Sequence, residues 1–167
     1  MLNSFSPLSV PNFSGRERNY VDEAIDTQWV STAGAFISRF EAAMAKRVGV
    51  PQACACQSGT AGLHLSLRHF GVGLGDLVLV PTLTFIATVN AVMYQYAEPV
   101  FFDCDDHMCI NAAQVEDYLT HMCRVENGRT IEISSGKTVK AIIPVHVFGD
   151  HCDMDRLMQL AEDYHLY

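Results

Sequence analysis

The stretch Cys56-Gln57-Ser58-Gly59-Thr60-Ala61-Gly62-Leu63 sets a small polar turn between two apolar runs. Ala53 to Cys56 reads as a short buried strand, and the run from Leu63 reads as a helix. A Ser or Thr at a helix mouth accepts a hydrogen bond from one of the unpaired first N–H groups, and Gly eases the tight turn. The same mouth can hold an anion, because those N–H groups carry partial positive charge and a phosphate fits among them. On these residues alone both readings stand. A second polar turn, Pro81-Thr82-Leu83-Thr84-Phe85, places an aromatic at the start of another helical run. A phosphate cradle beside an aromatic plate suits a flat phosphorylated cofactor, the stacked ring adding roughly 0.5 to 1.5 kcal/mol beyond burial. Phe85 also begins the stripe Phe85, Val89, Val92, Met93, Tyr96, so core packing is the competing reading.

Other reactive residues form no such constellation. Cys54, Cys56, Cys104, Cys109, Cys123 and Cys152 contain no CxxC pair, and His146, His151 and Cys152 match no metal-ligand spacing, so the cysteines read as free thiols. Gly71-Val72-Gly73-Leu74-Gly75-Asp76 superficially resembles a dinucleotide fingerprint. Its third glycine comes one place early, however, and it precedes a strand instead of following one, so it reads as a turn.

The elements that must position these residues alternate between helix and strand. Glu17–Asp26 is helical, with Tyr20, Val21, Ala24 and Ile25 on one face, and Phe36, Ile37, Phe40, Met44 and Val48 mark a second helix. Leu77–Pro81, Pro99–Asp103 and Val139–Val145 are short apolar strands. Ala112, Val115, Leu119 and Met122 form a helical stripe; Arg124–Thr138 is a polar loop or hairpin; Asp153 caps a last helix. Strands apolar throughout and separated by helices imply an α/β fold with a mostly parallel sheet covered on both faces. Ligands of such sheets sit at the C-terminal strand ends, which singles out residues 57–60, 81–84 and 146–153. The 167 residues suit about one domain, and 49% hydrophobic content argues against disorder. A formal charge of −8 disfavours nucleic acid and anionic membranes as partners. With neither a secretory leader pattern nor a spanning apolar run, the sequence reads as a soluble cytoplasmic protein.

Five stretches in order resemble the DegT/DnrJ/EryC1/StrS family of pyridoxal-phosphate (PLP) sugar aminotransferases: Trp29–Glu41, Cys56–Leu67, Gly71–Val92, Pro99–Asp105 and Ile142–Leu166. The resemblance implies the large domain of a fold-type I PLP transferase, with residues 1–167 as its N-terminal part. It implies that Ser58, Gly59, Thr60 and Ala61 bind the cofactor phosphate, that Phe85 stacks on the pyridine ring, and that Trp29 and Ser31 line the sugar-nucleotide end. It further implies a keto-sugar nucleotide substrate, an amino-acid donor such as glutamate, and a homodimer. The polar segment 124–138 is similar to members acting on nucleotide-linked 4-keto-6-deoxy sugars, including the nonulosonate branch. Family members also need a lysine that anchors PLP and a carboxylate on the pyridinium nitrogen, both of which the resemblance places beyond Tyr167. A family dehydratase with histidine at the lysine position, and a non-enzymatic PLP- or sugar-sensing or inert fragment, remain alternatives on sequence grounds.

Lys46, Lys137 and Lys140 are the only lysines, and none matches the anchoring position. After incubation with PLP and borohydride reduction, peptide mapping is expected to find no stoichiometric adduct on any of the three.

Overall fold

The computed structural model describes residues 9–31 and 34–167. The chain divides into two compact units, with the boundary between Ala55 and Cys56.

The N-terminal unit carries helices α1 (Arg16–Asp26) and α2 (Ala35–Val48). Glu17 turns back on the start of α1, accepting from the N–H groups of Ser14 and Gly15 at 3.0 and 2.8 Å. Those bonds, led by Ser14, hold its carboxyl below the usual range. Gly49 closes α2 at φ 77°, a left-handed cap that glycine adopts without steric cost. The apolar face expected on α1 is present but uncovered, since no α1 residue is buried. Tyr20 instead touches Phe36 edge-on at 6.0 Å, and the Arg39 guanidinium lies over both rings while pairing with Glu23 at 2.9 Å.

A departure from expectation falls at the boundary of the two units. Ala53 to Cys56 belongs to no strand, and Cys54 and Cys56 are exposed. Apolar composition alone does not make a strand, and the five strands of the sheet all follow this segment in the chain. The elements that follow are α3 (Gly59–His69), β1 (Asp76–Pro81), α4 (Ile86–Met93), β2 (Glu98–Phe102), α5 (Ala112–Met122), β3 (Cys123–Glu126), β4 (Arg129–Glu132), β5 (Thr138–Ile142) and α6 (Met154–Asp163). The Gly71–Gly75 segment is the turn between α3 and β1, tied by the Gly73 N–H to Asp76 Oδ2 at 3.0 Å.

The sheet has the order β2-β1-β5-β4-β3. β2, β1 and β5 are parallel, whereas β5, β4 and β3 are antiparallel, so the sheet is mixed where a mostly parallel one was expected. The cause is the polar segment, which folds as a hairpin. Asn127 and Gly128 take φ of 51° and 71°, the two left-handed residues of a type I′ turn, and the hairpin adds two strands to the sheet. Tyr118 locks it by donating to Glu132 at 2.7 Å; Ser135 and then Tyr118 hold that carboxyl below its usual range.

Both faces of the sheet are covered. Leu77 and Leu79 point into a core with Phe102, Val115, Leu119, Leu157 and Leu160, which brings in α5 and α6. Val78 and Val80 point into the other core with Leu67, Ala91 and Val92, which brings in α3 and α4. A register shift beside Lys140 turns Val139 toward the first core and Ala141 toward the second. The same shift divides the other edge of β5. β4 pairs with Thr138 and Val139, while Tyr167 runs parallel beside the remainder, its N–H donating to Lys140 O at 3.1 Å and its carbonyl accepting from Ile142 N–H at 3.0 Å.

The helical stripe expected from Phe85 to Tyr96 is largely overturned. α4 buries Thr88, Ala91 and Val92, while Phe85, Met93 and Tyr96 are exposed. The helix ends at Met93, so Tyr96 lies outside it, and small residues let α4 pack closely.

Leu79 is fully buried at the centre of the sheet, whereas Leu74 is 88% exposed in a turn. Leu79→Ala is expected to cost about 2 to 5 kcal/mol in denaturant unfolding, and Leu74→Ala less than about 0.5.

Candidate functional site

The polar turn at residues 57–60 forms the N-terminus of α3. Ser58 is the N-cap in extended backbone, and its Oγ accepts from the Ala61 N–H at 3.2 Å. The Ser58 carbonyl accepts the first intrahelical bond, from Gly62 N–H, at 3.1 Å. The helix-cap reading of the sequence is therefore realised, and it occupies Ala61, one of the N–H groups expected to face a phosphate. Helix geometry leaves the N–H groups of Gly59 and Thr60 with no i−4 acceptor. Gly59 is not required by the turn: its φ is outside the left-handed region, and an added Cβ would meet nothing within 4 Å. The space that glycine leaves open is where an anion would approach the backbone.

The second site element is built on β1. The strand ends at Pro81, Thr82 donates its N–H to Phe102 O at 2.9 Å, and Thr84 and Thr88 share a hydroxyl hydrogen bond at 2.8 Å. These bonds fix Phe85 as the N-cap of α4 in extended backbone, with its ring 87% exposed. Leaving so large an apolar side chain uncovered beside a buried strand forfeits burial energy, which separates Phe85 from the core residues around it.

The third loop follows β5, the parallel neighbour of β1. Val147–Gly149 forms a single 3-10 turn with Phe148 left-handed at φ 56°. Buried Cys152 ties the base of the loop: its Sγ donates to Val145 O at 3.3 Å and its N–H donates to His146 Nδ1 at 3.2 Å. His146 thus accepts a local hydrogen bond, and its ring meets His151 edge-on at 5.3 Å. Asp150 receives the His151 N–H and pairs with His107 at 3.2 Å; these contacts, His151 first, hold its carboxyl below the usual range. Burial, together with the neighbouring Cys152 thiol, pushes Cys109 up to about 11, so it serves as a packing group and not as a nucleophile.

Since β1 and β5 are adjacent and parallel, their C-terminal loops meet. Leu83, Thr84, Phe85, Val145, His146, Val147 and Phe148 line an open, mainly apolar cleft of about 290 Å³. No lysine and no carboxylate is among these lining residues. Lys137 pairs with Glu98 at 2.5 Å, and Lys140 lies over the Tyr167 ring at 5.6 Å. Trp29 and Ser31 belong to the N-terminal unit. Trp29 is 54% exposed and its N–H donates to Ala24 O at 3.1 Å; Ser31 is exposed, and Thr32 and Ala33 beyond it lie outside the described residues. Sequence reasoning singled out the loop at 146–153 but missed Phe148, whose signal is an aromatic next to glycine just past a buried strand.

The model of the DegT/DnrJ/EryC1/StrS aminotransferase family matches residues 11–167. The chain belongs to this family. It is 41% identical over 160 residues to a GDP-perosamine synthase of Caulobacter vibrioides, covering 95% of this chain and 39% of that protein. A DegT DnrJ EryC1 StrS aminotransferase from Brucella abortus superposes with a TM-score of 0.76 at 33% identity, over 91% of this chain and 40% of the other. NtdA from Bacillus subtilis, solved with bound cofactor PMP, superposes with a TM-score of 0.74 at 28% identity, over 89% of this chain and 31% of the other. The chain thus spans about 40% of the length of the first two of these relatives.

Ser58→Ala removes the α3 cap. It is expected to lower stability by about 1 kcal/mol, and Ser58→Gly by only a few tenths, as read from denaturant midpoints.

Proposed function

We propose that this chain is the cofactor-binding N-terminal part of a PLP-dependent aminotransferase that converts a nucleotide-linked keto-deoxysugar to an amino sugar, using an amino-acid donor such as glutamate. The observation that carries the reading is a pair of features within a family-matched segment: an α3 mouth whose Gly59 and Thr60 N–H groups have no i−4 acceptor beside an open glycine, and an exposed Phe85 in an apolar cleft at the end of β1. The relative named GDP-perosamine synthase supports a sugar nucleotide, with GDP as its carrier, as the substrate.

These residues fit the cofactor in its binding half. The Gly59 and Thr60 N–H groups and the Thr60 hydroxyl hold the phosphate, with the dipole of α3 favouring its charge. Ser58 keeps that mouth ordered through its bond to Ala61. Phe85 covers one face of the ring and excludes water from it. By the family resemblance, contacts to the sugar nucleotide fall to Trp29 and Ser31 of the N-terminal unit. When bound, PLP supplies an electron-accepting ring through which an amino group passes from donor to ketone. The anchoring lysine and the carboxylate paired with the ring nitrogen are contributed by the part of the family length that this chain does not span. The full-length protein assembles as a homodimer and acts in the cytoplasm. Among the described residues, no helix is long and apolar enough to cross a membrane.

Pyridoxamine 5′-phosphate, which cannot condense with lysine, is the suitable probe. By calorimetry the chain is expected to bind it, and Thr60→Ala to weaken that binding by about 1 kcal/mol, one hydrogen bond to a charged group. Equal affinities for the two proteins would reduce the α3 mouth to a helix cap.

A further inference from the structure

We propose that Phe148 is a second aromatic contact for the cofactor ring, set against the same cleft as Phe85 by the loop after β5; the inference rests on the function proposed above. Three observations lead to it. First, Phe148 and Phe85 both line the cleft at the ends of adjacent parallel strands, where ligands of such sheets bind. Second, Phe148 is 86% exposed and so contributes almost nothing to the core. Third, it holds φ 56° and ψ 15°, a left-handed backbone that a bulky residue adopts only at a cost and that glycine would adopt freely.

The rest of the loop is built to hold that conformation. Buried Cys152 ties both Val145 and His146, and the His107–Asp150 pair holds the far side. Of the other described non-glycine residues that are left-handed, Gln28 and His165 each follow the cap of a helix and Asn127 closes the hairpin, where chain reversal accounts for the geometry; Tyr96 lies in the turn between α4 and β2, and Met108 in the turn between β2 and α5. At Phe148 the chain retains a strained, solvent-facing aromatic beside an apolar cleft. Strain of this kind persists where the surroundings over-determine it, and it concentrates at ligand sites. The chemistry that suits the position is a planar aromatic ring. Two exposed phenyl groups offer it dispersion and quadrupole contacts, and neither competes for the polar groups of the ring.

The test compares Phe148→Gly, Phe148→Tyr and Phe85→Ala for pyridoxamine 5′-phosphate affinity and thermal melting. Phe148→Gly is expected to bind about fivefold more weakly, with a melting temperature equal to or above that of the parent chain because the backbone strain is relieved. Phe148→Tyr, which restores the ring, should restore the affinity. If Phe85→Ala weakens binding while Phe148→Gly does not, this inference falls and the proposed function stands. A lowered melting temperature for Phe148→Gly would assign the side chain to structure and overturn the inference as well. A parent chain that does not bind the probe would overturn both.

Discussion

Burial of β1 on both faces is the constraint on which the rest of this structure depends. Val78, Leu79 and Val80 are completely inaccessible, so no side of the strand can face water. Side chains alternate along a strand, so covering both faces requires apolar partners above and below. α3 and α4 meet this need on one side, and α5 and α6 on the other. Parallel neighbours require crossover connections, which carry the chain back over a face and return every strand to the same end of the sheet. The loops after β1 and β5 are therefore side by side because the strands are buried, with no direct bond needed to bring them together.

The cleft follows from this arrangement. Its walls stand on two adjacent parallel strands, and its most exposed side chains, Phe85 and Phe148, lie within a few residues of buried ones. The polar groups beneath are used for positioning. Thr84 and Thr88 bond each other, His146 accepts from Cys152, and Asp150 holds His107. Such local closure leaves the loops little freedom to collapse over the aromatics, so an apolar surface stays open at the strand ends. The α3 mouth is organised by the same economy: Ser58 satisfies the N–H group of Ala61, while those of Gly59 and Thr60 have no i−4 acceptor.

The mixed sheet shows how a local feature redirects a global one. The Asn127-Gly128 turn closes a hairpin whose β4 strand pairs with only the first part of β5. The register shift at Lys140 then turns the strand over, and the second part of β5 pairs with Tyr167 in parallel. One strand thus serves two neighbours of opposite direction along one edge. Neither partner competes with the other, because the shift assigns each its own backbone groups.

By itself the sequence determined the helices, the strands β1, β2 and β5, and the polar loops at 57–60, 81–84 and 146–153. These are properties of short windows: Ser58 and Asp153 cap their helices because their own side chains reach N–H groups three residues away. Apolar runs such as Leu77–Val80 allow little besides a buried strand. The family resemblance was likewise legible, because it rests on motifs in linear order. Only the tertiary structure decided which apolar residues would be used. Ala53–Cys56 has the composition of a strand but does not form one, and the α4 stripe loses Phe85, Met93 and Tyr96 to solvent because the helix packs on small residues instead. The pairing of the β1 and β5 loops, which sets Phe148 against the same cleft as Phe85, was equally out of reach. It depends on two strands about 60 residues apart lying side by side, and contacts between distant segments leave no periodicity in the sequence between them.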